Sequence, residues 1–314
     1  MMFKTDLVSC IIPTYRRSDT LGRAIQSVVD QTYKNIEVLV VDDNMKGDEY
    51  SARVIETVGK FSDQRVHYVS QVQHINGAEA RNAGIRASKG EYIAFLDDDD
   101  WWDKGKIEKQ VEFIKQCPPT CGVVSTLLRY YANGKLIKQT LPYKGGYIYK
   151  EILRREYSVM TSSVLIKKTA LDEAGYFDVA LKRAQDLQLL ANLTYKFELY
   201  QLPEYLVNIN VDDSGNRGDS RRTIEIKKAF FRSVGPILES LTPREKKQIY
   251  SLHQFERFPA ELREGRYLSA IVDCLQICRD PMIVYYAFKK VSRKKKEINQ
   301  AKKVVNKNQT YEGC

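Results

Sequence analysis

Within its first hundred residues the chain alternates four times between a short apolar run and a segment of helical periodicity. The apolar runs are Val8 to Pro13, Ile36 to Val41, Val66 to Val69 and Tyr92 to Leu96. Runs of this length, rich in β-branched residues and bounded by turn residues, read as buried strands. Between them, Leu21 to Val29, Asp48 to Phe61 and Gly77 to Ala87 place apolar residues three and four apart, the spacing of a helix face. Ser18 and Asp19 are the candidate caps of the first helix. Such alternation predicts a doubly wound, mostly parallel α/β sheet. Right-handed crossovers make parallel strands point the same way. Whatever follows each strand therefore collects on one edge, where open α/β sheets bind ligands.

Two of these strands run into acid. Val41 is followed by Asp42-Asp43-Asn44, and Leu96 by Asp97 to Asp100 and then Trp101-Trp102. Four adjacent carboxylates repel one another unless a positive partner compensates. Oxygen ligands suit Mg²⁺ or Mn²⁺, which keep several waters and are bound through one or two carboxylates plus substrate phosphates. Two acidic clusters on one sheet edge therefore predict a divalent metal clamped on a phosphorylated substrate. The glycine-rich dinucleotide fingerprint and the Walker lysine loop are both absent.

Farther along, Ile107 to Gln116 reads as a helix. Gly122 to Tyr131 and Leu136 to Leu141 read as strands around Ala132-Asn133-Gly134. Thr161 to Ile166 reads as a strand, Lys168 to Ala174 and Ala184 to Tyr195 as helices, and Leu199 to Val211 as one or two strands interrupted by Pro203. The polar stretch Val211 to Arg222 reads as a loop; the alternative is a lid whose Arg217, Arg221 or Arg222 contacts diphosphate. From Ile224 onward the pattern is helical: Ile226 to Leu241, Pro243 to Phe258, Tyr267 to Cys278 and Met282 to Val304. This divides the chain into an α/β domain, residues 1–222, and a helical region, residues 223–314.

Of the formal charge of +10, the last 34 residues carry nine Lys or Arg against two Glu. A basic tail on a near-neutral body argues against a nucleic-acid groove. Met282 to Phe288 followed by Lys289, Lys290 and Arg293 to Lys296 is instead a segment suited to an anionic membrane surface. No apolar run approaches the roughly 18 residues of a membrane span, and the start lacks a signal-peptide core, which predicts a cytoplasmic protein. Cys117-Cys121 and Cys274-Cys278 share a C-x3-C spacing wider than that of most structural zinc sites and read as free thiols.

Taken in order, the motifs resemble those of the inverting glycosyltransferases of family 2, which have the GT-A fold. The resemblance covers roughly residues 6–222. It rests on the opening strand with Pro13-Thr14-Tyr15, on VVDDN (Val40 to Asn44) and on GAEARNAGI (Gly77 to Ile85). It rests further on LDDDDWW, on SSVLIKKTALDEAGYFD (Ser162 to Asp178) and on Gln185-Asp186 where the family usually carries Glu-Asp. It implies a Rossmann-like α/β/α sandwich followed by a helical C-terminal region. It also implies metal-dependent transfer of one sugar from a nucleotide sugar, a UDP-sugar first, to a lipid-linked saccharide at the inner face of the plasma membrane. On this resemblance Pro13 and Tyr15 contact the base, Asp43 accepts from its imide, and Arg81 lies near the diphosphate. Asp97 meets ribose or metal-bound water, Asp99 binds Mn²⁺ or Mg²⁺, and Asp186 is the general base. Four aspartates in a row leave the register of the metal-binding pair open. The alternatives are a nucleotidyltransferase, which lacks its lysine loop here, and a non-catalytic nucleotide-binding or membrane-tethered scaffold.

Overall fold

A computed structural model describes residues 4–17, 19–211, 220–255 and 280–311, with backbone only at 220–223, 255 and 306–311. The expected cap Ser18, the expected helix Tyr267 to Cys278 and Arg217 lie outside the described residues, as do the Arg221 and Arg222 side chains.

The strands β1 (Lys4–Thr14), β2 (Ile36–Asp42), β3 (Val66–Ser70) and β4 (Gly90–Phe95) are mutually parallel in the order β3-β2-β1-β4. Val8 faces Ile36 and Thr14 faces Asp42, so the residues after each strand reach one edge together. Alternate residues serve opposite layers, as the two-residue strand period requires. Ile11, Leu39, Val41, Ile93 and Phe95 enter one core. Cys10, Ile12, Val38, Val40, Tyr92 and Ala94 enter the other. The helices α1 (Leu21–Val29) and α2 (Glu49–Gly59) bury Leu21, Ile25, Val28 and Val54 in the second core, and α3 (Gly77–Ala87) buries Ile85 in the first. Asp48 caps α2 through the Ser51 amide. The N-cap of α1 is Thr20, without a side-chain cap bond, and not Asp19.

The second half of the sheet is mixed. β5 (Trp101–Trp102), β6 (Cys121–Ala132), β7 (Lys135–Gln139), β8 (Leu165–Lys167) and β9 (Glu198–Asn210) extend it in the order β4-β8-β6-β9-β5, with β7 paired to β6. β8 runs antiparallel to both β4 and β6, whereas β6 and β9 are parallel. Asn133 and Gly134 take φ of 49° and 72°, which closes the expected β6–β7 hairpin. Pro203 does not divide β9; pairing shifts from Thr126–Leu202 to Leu127–Tyr205 and leaves the proline at a bulge. The expected strand Thr161 to Ile166 is instead a 3-10 turn, Thr161–Ser163, before β8. There the Ser163 hydroxyl donates to the Met160 carbonyl, and local side-chain bonds of this kind compete with a ladder.

Helix α4 (Lys106–Gln116) covers the second core. The first core is covered by α5 (Tyr149–Leu153), α6 (Lys168–Ala174), α7 (Gln185–Lys196), α8 (Ser220–Ser233), α9 (Gly235–Glu239) and α10 (Pro243–Phe255). Phe230, Val234, Ile237, Leu241 and Ile249 share that core with Ile11. The long α11 (Pro281–Tyr311) packs on α10 and β7, burying Ile283, Ala287 and Ala301.

Candidate active site

The C-terminal ends of β1, β2 and β4 and the start of α3 enclose a cavity of about 430 Å³. Pro13, Tyr15, Asp43, Arg81, Asp97 and Asp99 all line it, so six predicted binding residues converge. The strand ends explain five of them, which lie at or just after apolar strands whose register is fixed by burial; Arg81 comes instead from the first turns of α3.

The acidic pair after β2 divides its work. Asp42 is buried and accepts hydrogen bonds from the Asn44 amide and side chain, Ser51 and Tyr68, so it holds the loop. Asp43 faces the cavity and meets His74 Nδ1 at 2.9 Å. Burial raises the Asp43 pKa, against the opposing pull of His74. The His74 ring also stacks on Tyr15, with centroids 3.9 Å apart. His74 was not among the predicted residues; a single histidine in a polar loop carries no periodic signal.

The four aspartates after β4 also alternate. Asp98 and Asp100 are 7% and 2% exposed. Asp98 accepts from the Thr14 hydroxyl at 2.8 Å, and Asp100 from the Ser162 hydroxyl and the Asn210 amide. Asp97 pairs with Arg81 and Asp99 with Arg17. Burial pushes Asp98 up to about 7, against the Thr14 hydrogen bond, and raises Asp100 well above the carboxylate range. Burial opposes the charge on Arg81, but Asp97 and then Asp186 and Asp98 outweigh it and raise its pKa. Arg17, like His74, is a cavity residue that the sequence reading did not single out.

Among the described residues no group of three or more His, Cys, Asp or Glu side chains is placed to hold a metal unaided. Asp97 and Asp99 are two partly exposed carboxylates facing one cavity, each balanced by a guanidinium. That donor set fits Mg²⁺ or Mn²⁺ shared with a substrate diphosphate, since such ions need only one or two carboxylates from the protein.

Asp186 stands in the first turn of α7 and lines a second cavity of about 520 Å³, near enough to Arg81 of the first for its charge to act on that guanidinium. Helices α3 and α7 approach one another here. A Cβ on Gly77 would sit 3.0 Å from an Arg81 nitrogen and 3.6 Å from Gln185 Oε1. Asn82 braces this region: its side chain exchanges two hydrogen bonds with the Phe177 backbone, which joins the α3 motif to the Gly175-Tyr176-Phe177-Asp178 segment. Asp178 in turn accepts from Ser233 of α8. Cys117 and Cys121 are free thiols; Cys274 and Cys278 lie outside the described residues.

A family model, Glycosyl transferase family 2, matches residues 9–173. The UDP-Glc:alpha-D-GlcNAc-diphosphoundecaprenol beta-1,3-glucosyltransferase WfaP of Escherichia coli is 37% identical over 110 residues, 35% of this chain and 42% of that protein. The match thus spans about two fifths of that relative's length. The amylovoran biosynthesis glycosyltransferase AmsB of Erwinia amylovora is 27% identical over 205 residues, 62% of this chain and 67% of its own. Among solved structures, S. aureus TarS 1-349 in complex with UDP-GlcNAc gives a TM-score of 0.64 at 16% identity, covering 94% of this chain and 91% of TarS 1-349. The mannosyltransferase PcManGT from Pyrobaculum calidifontis, in complex with GDP-Man and Mn²⁺, gives 0.55 at 16% identity, covering 87% and 74%. At such identities the likeness shows the fold alone, a GT-A sheet followed by helices.

Proposed function

Because this chain belongs to glycosyl transferase family 2, we propose that it moves one sugar from a UDP-sugar to a hydroxyl of a saccharide acceptor, with inversion. The observation that carries this reading is the convergence of Pro13, Tyr15, Asp43, Arg81, Asp97 and Asp99 on one strand-end cavity. Tyr15 offers an aromatic face, already stacked on His74, against which a base can pack. Asp43 supplies the acceptor that a uracil imide N–H requires. Arg81 and Arg17 supply guanidinium forks for the diphosphate.

Asp99, with Asp97 beside it, would hold Mn²⁺ or Mg²⁺. When bound, such an ion stabilises the negative charge of the departing diphosphate. Asp186 takes the proton of the acceptor hydroxyl as that oxygen attacks the anomeric carbon from the face opposite the leaving group. A new C–O bond forms, the anomeric C–O bond to the diphosphate breaks, and its electron pair leaves with the nucleoside diphosphate. Gln185 replaces the acid common in the family beside the base and leaves a neutral neighbour for the acceptor.

The acceptor is a lipid-linked saccharide in cell-surface polysaccharide synthesis. The names of WfaP and AmsB support this, and so does α11. Val284, Tyr285, Phe288 and Val291 are exposed on that helix just before Lys294, Lys295 and Lys296. Among the described residues no helix is long and apolar enough to cross a membrane. This face of α11 instead lies on the anionic inner surface of the plasma membrane.

Thermal unfolding with UDP, GDP, dTDP or CMP, each with and without Mn²⁺, tests the donor reading. UDP with Mn²⁺ is expected to stabilise the chain by several degrees. Stabilisation by none of the four overturns it and returns the scaffold alternative.

A further inference from the structure

Tyr15 and Asp43 are the two groups assigned to the base, and another side chain already holds both. The His74 ring lies on the Tyr15 ring with centroids 3.9 Å apart and planes 13° from parallel. Its Nδ1 is 2.9 Å from Asp43 Oδ2 and 3.2 Å from the Asp43 carbonyl oxygen. A carbonyl oxygen only accepts, so Nδ1 carries the proton and donates. His74 thus brings to the cavity a flat ring with an N–H on its edge, stacked on an aromatic face and bonded to a carboxylate. Those are the two contacts required of the uracil imide. They are also mutually exclusive with it. With carbon atoms in contact at about 3.5–4.0 Å, a base on the opposite face of Tyr15 would lie about 7–8 Å from the His74 ring. That is beyond hydrogen-bond reach of the carboxylate oxygen that meets Nδ1. Only the face that His74 covers lets a base meet Tyr15 and Asp43 together.

The backbone shows which partner yields. Tyr15 and Asp43 are held by the sheet. The Asp43 N–H donates to the Thr14 carbonyl at 3.0 Å, and the Arg16 N–H donates to Asn44 Oδ1 at 2.9 Å. Arg16, directly after Tyr15, takes a φ of 54°. A left-handed conformation of this kind persists where surrounding contacts enforce it. His74 belongs instead to the segment between β3 and α3. Its neighbours Val72, Gln73 and Ile75 are exposed, and its own side chain is 36% exposed. Asn76 anchors the far end of that segment. Its side chain accepts from the Ala78 and Glu79 amides at the start of α3 and donates to the Val179 carbonyl. Rotation of the His74 side chain therefore clears the cavity without disturbing the sheet or α3.

Resting on the donor reading above, we infer that His74 fills the base subsite of the free chain and that a nucleotide enters by displacing it. His74 thereby restrains donor binding from within the site. The contacts given up are a hydrogen bond to a carboxylate and one aromatic stack. A ligand that needs the open arrangement has its apparent affinity reduced by the fraction of chains that are open. The restraint falls on any ligand whose base takes this place. It spares a ligand that fills only the diphosphate end of the cavity, beside Arg17 and Arg81.

The test titrates UDP and inorganic pyrophosphate, each with Mg²⁺, into the full chain by calorimetry. His74→Ala is expected to tighten UDP by roughly tenfold and to leave pyrophosphate unchanged. Equal UDP affinity in parent and variant overturns the inference. Weaker UDP affinity in the variant also overturns it and makes His74 a wall of the bound base. Pyrophosphate tightened as much as UDP overturns it as well, since the effect would then not be at the base. A second measurement uses the unaltered chain. It has three histidines, so the His74 ring is readily followed by NMR, with the variant identifying its signals. Saturating UDP with Mg²⁺ is expected to move those signals downfield, towards free histidine, as the Tyr15 ring current is lost. UDP bound with the His74 signals unmoved overturns the inference while leaving the donor reading intact. UDP that binds neither parent nor variant removes the donor reading and the inference together.

Discussion

At the scale of single residues, the aspartate run grades from a carboxylate held inside the structure to carboxylates that face the cavity. Asp100 is buried on Ser162 and the Asn210 amide; Asp98 is nearly buried on Thr14 and reaches the cavity wall beside Arg17; Asp97 and Asp99 are the more exposed pair facing the cavity opposite arginines. Asp99→Asn is therefore expected to abolish the Mn²⁺ dependence of UDP binding, and a metal titration followed by calorimetry reads this directly. Asp186→Asn is expected to keep UDP affinity and lose transfer by about 10²–10⁴-fold, the usual contribution of a general base. A mutant retaining full transfer would move the base elsewhere. Lys106 makes a different prediction. It is wholly buried, its Nζ has no hydrogen-bond partner among the described residues, and it lies 3.8 Å from the Trp102 ring centre. Burial pulls its pKa from 10.5 down to about 7. Between those values the unfolded chain binds the extra proton, so stability rises with pH across that window. Lys106→Met should flatten this rise and stabilise the chain at or below pH 7 by about 1–3 kcal/mol, seen as a shift in urea midpoint at pH 6 and 9. The cavity carboxylates were legible in the sequence because each follows an apolar strand. His74 and Arg17 were not, because loop side chains are placed by contacts that no local pattern encodes.

At the scale of elements, close approach decides where side chains are forbidden. A Cβ on Gly90 would sit 2.6 Å from the Leu7 carbonyl oxygen and 2.8 Å from the Ser9 nitrogen, where β4 enters beside β1. Backbone cannot yield as a flexible side chain does. Gly90→Ala is expected to destabilise by about 1–3 kcal/mol, whereas Gly59→Ala, in α2 with nothing within 4 Å, should stabilise by about 0.5–1 kcal/mol. Equal midpoints for the two in chemical denaturation would defeat this account. The parallel half of the sheet could be read from periodicity. Its antiparallel half could not, because β8 joins β4 to β6 through pairings distant in sequence. The two-residue β5 is too short to carry a period at all.

At the scale of the whole molecule, α11 has two faces. Ile283, Ala287 and Ala301 are buried against the body, and buried Glu297 pairs with Lys138 and Arg293. Val284, Phe288 and Val291 face outward. Truncation at residue 281 would strip the body as well as the outward face, so substitution is the sharper probe. Replacing Val284, Phe288 and Val291 by Gln is expected to reduce association with anionic vesicles several-fold without lowering the melting temperature. Association should also weaken as salt rises, since exposed charges are screened beyond about 10 Å at 0.1 M. A triple mutant that floats with vesicles like the parent would remove the membrane role of this helix. Its docking on β7 has one more consequence, for the chain as it is being made. Among the described residues β7 pairs only with β6, and α11 covers it. At translation rates of about 5–20 residues per second, that strand waits on the order of ten seconds or more for its cover. During that interval the emerging hairpin offers bare backbone to any neighbour on the same messenger, so crowding of ribosomes, and not only temperature, sets how much of this protein is lost to aggregation.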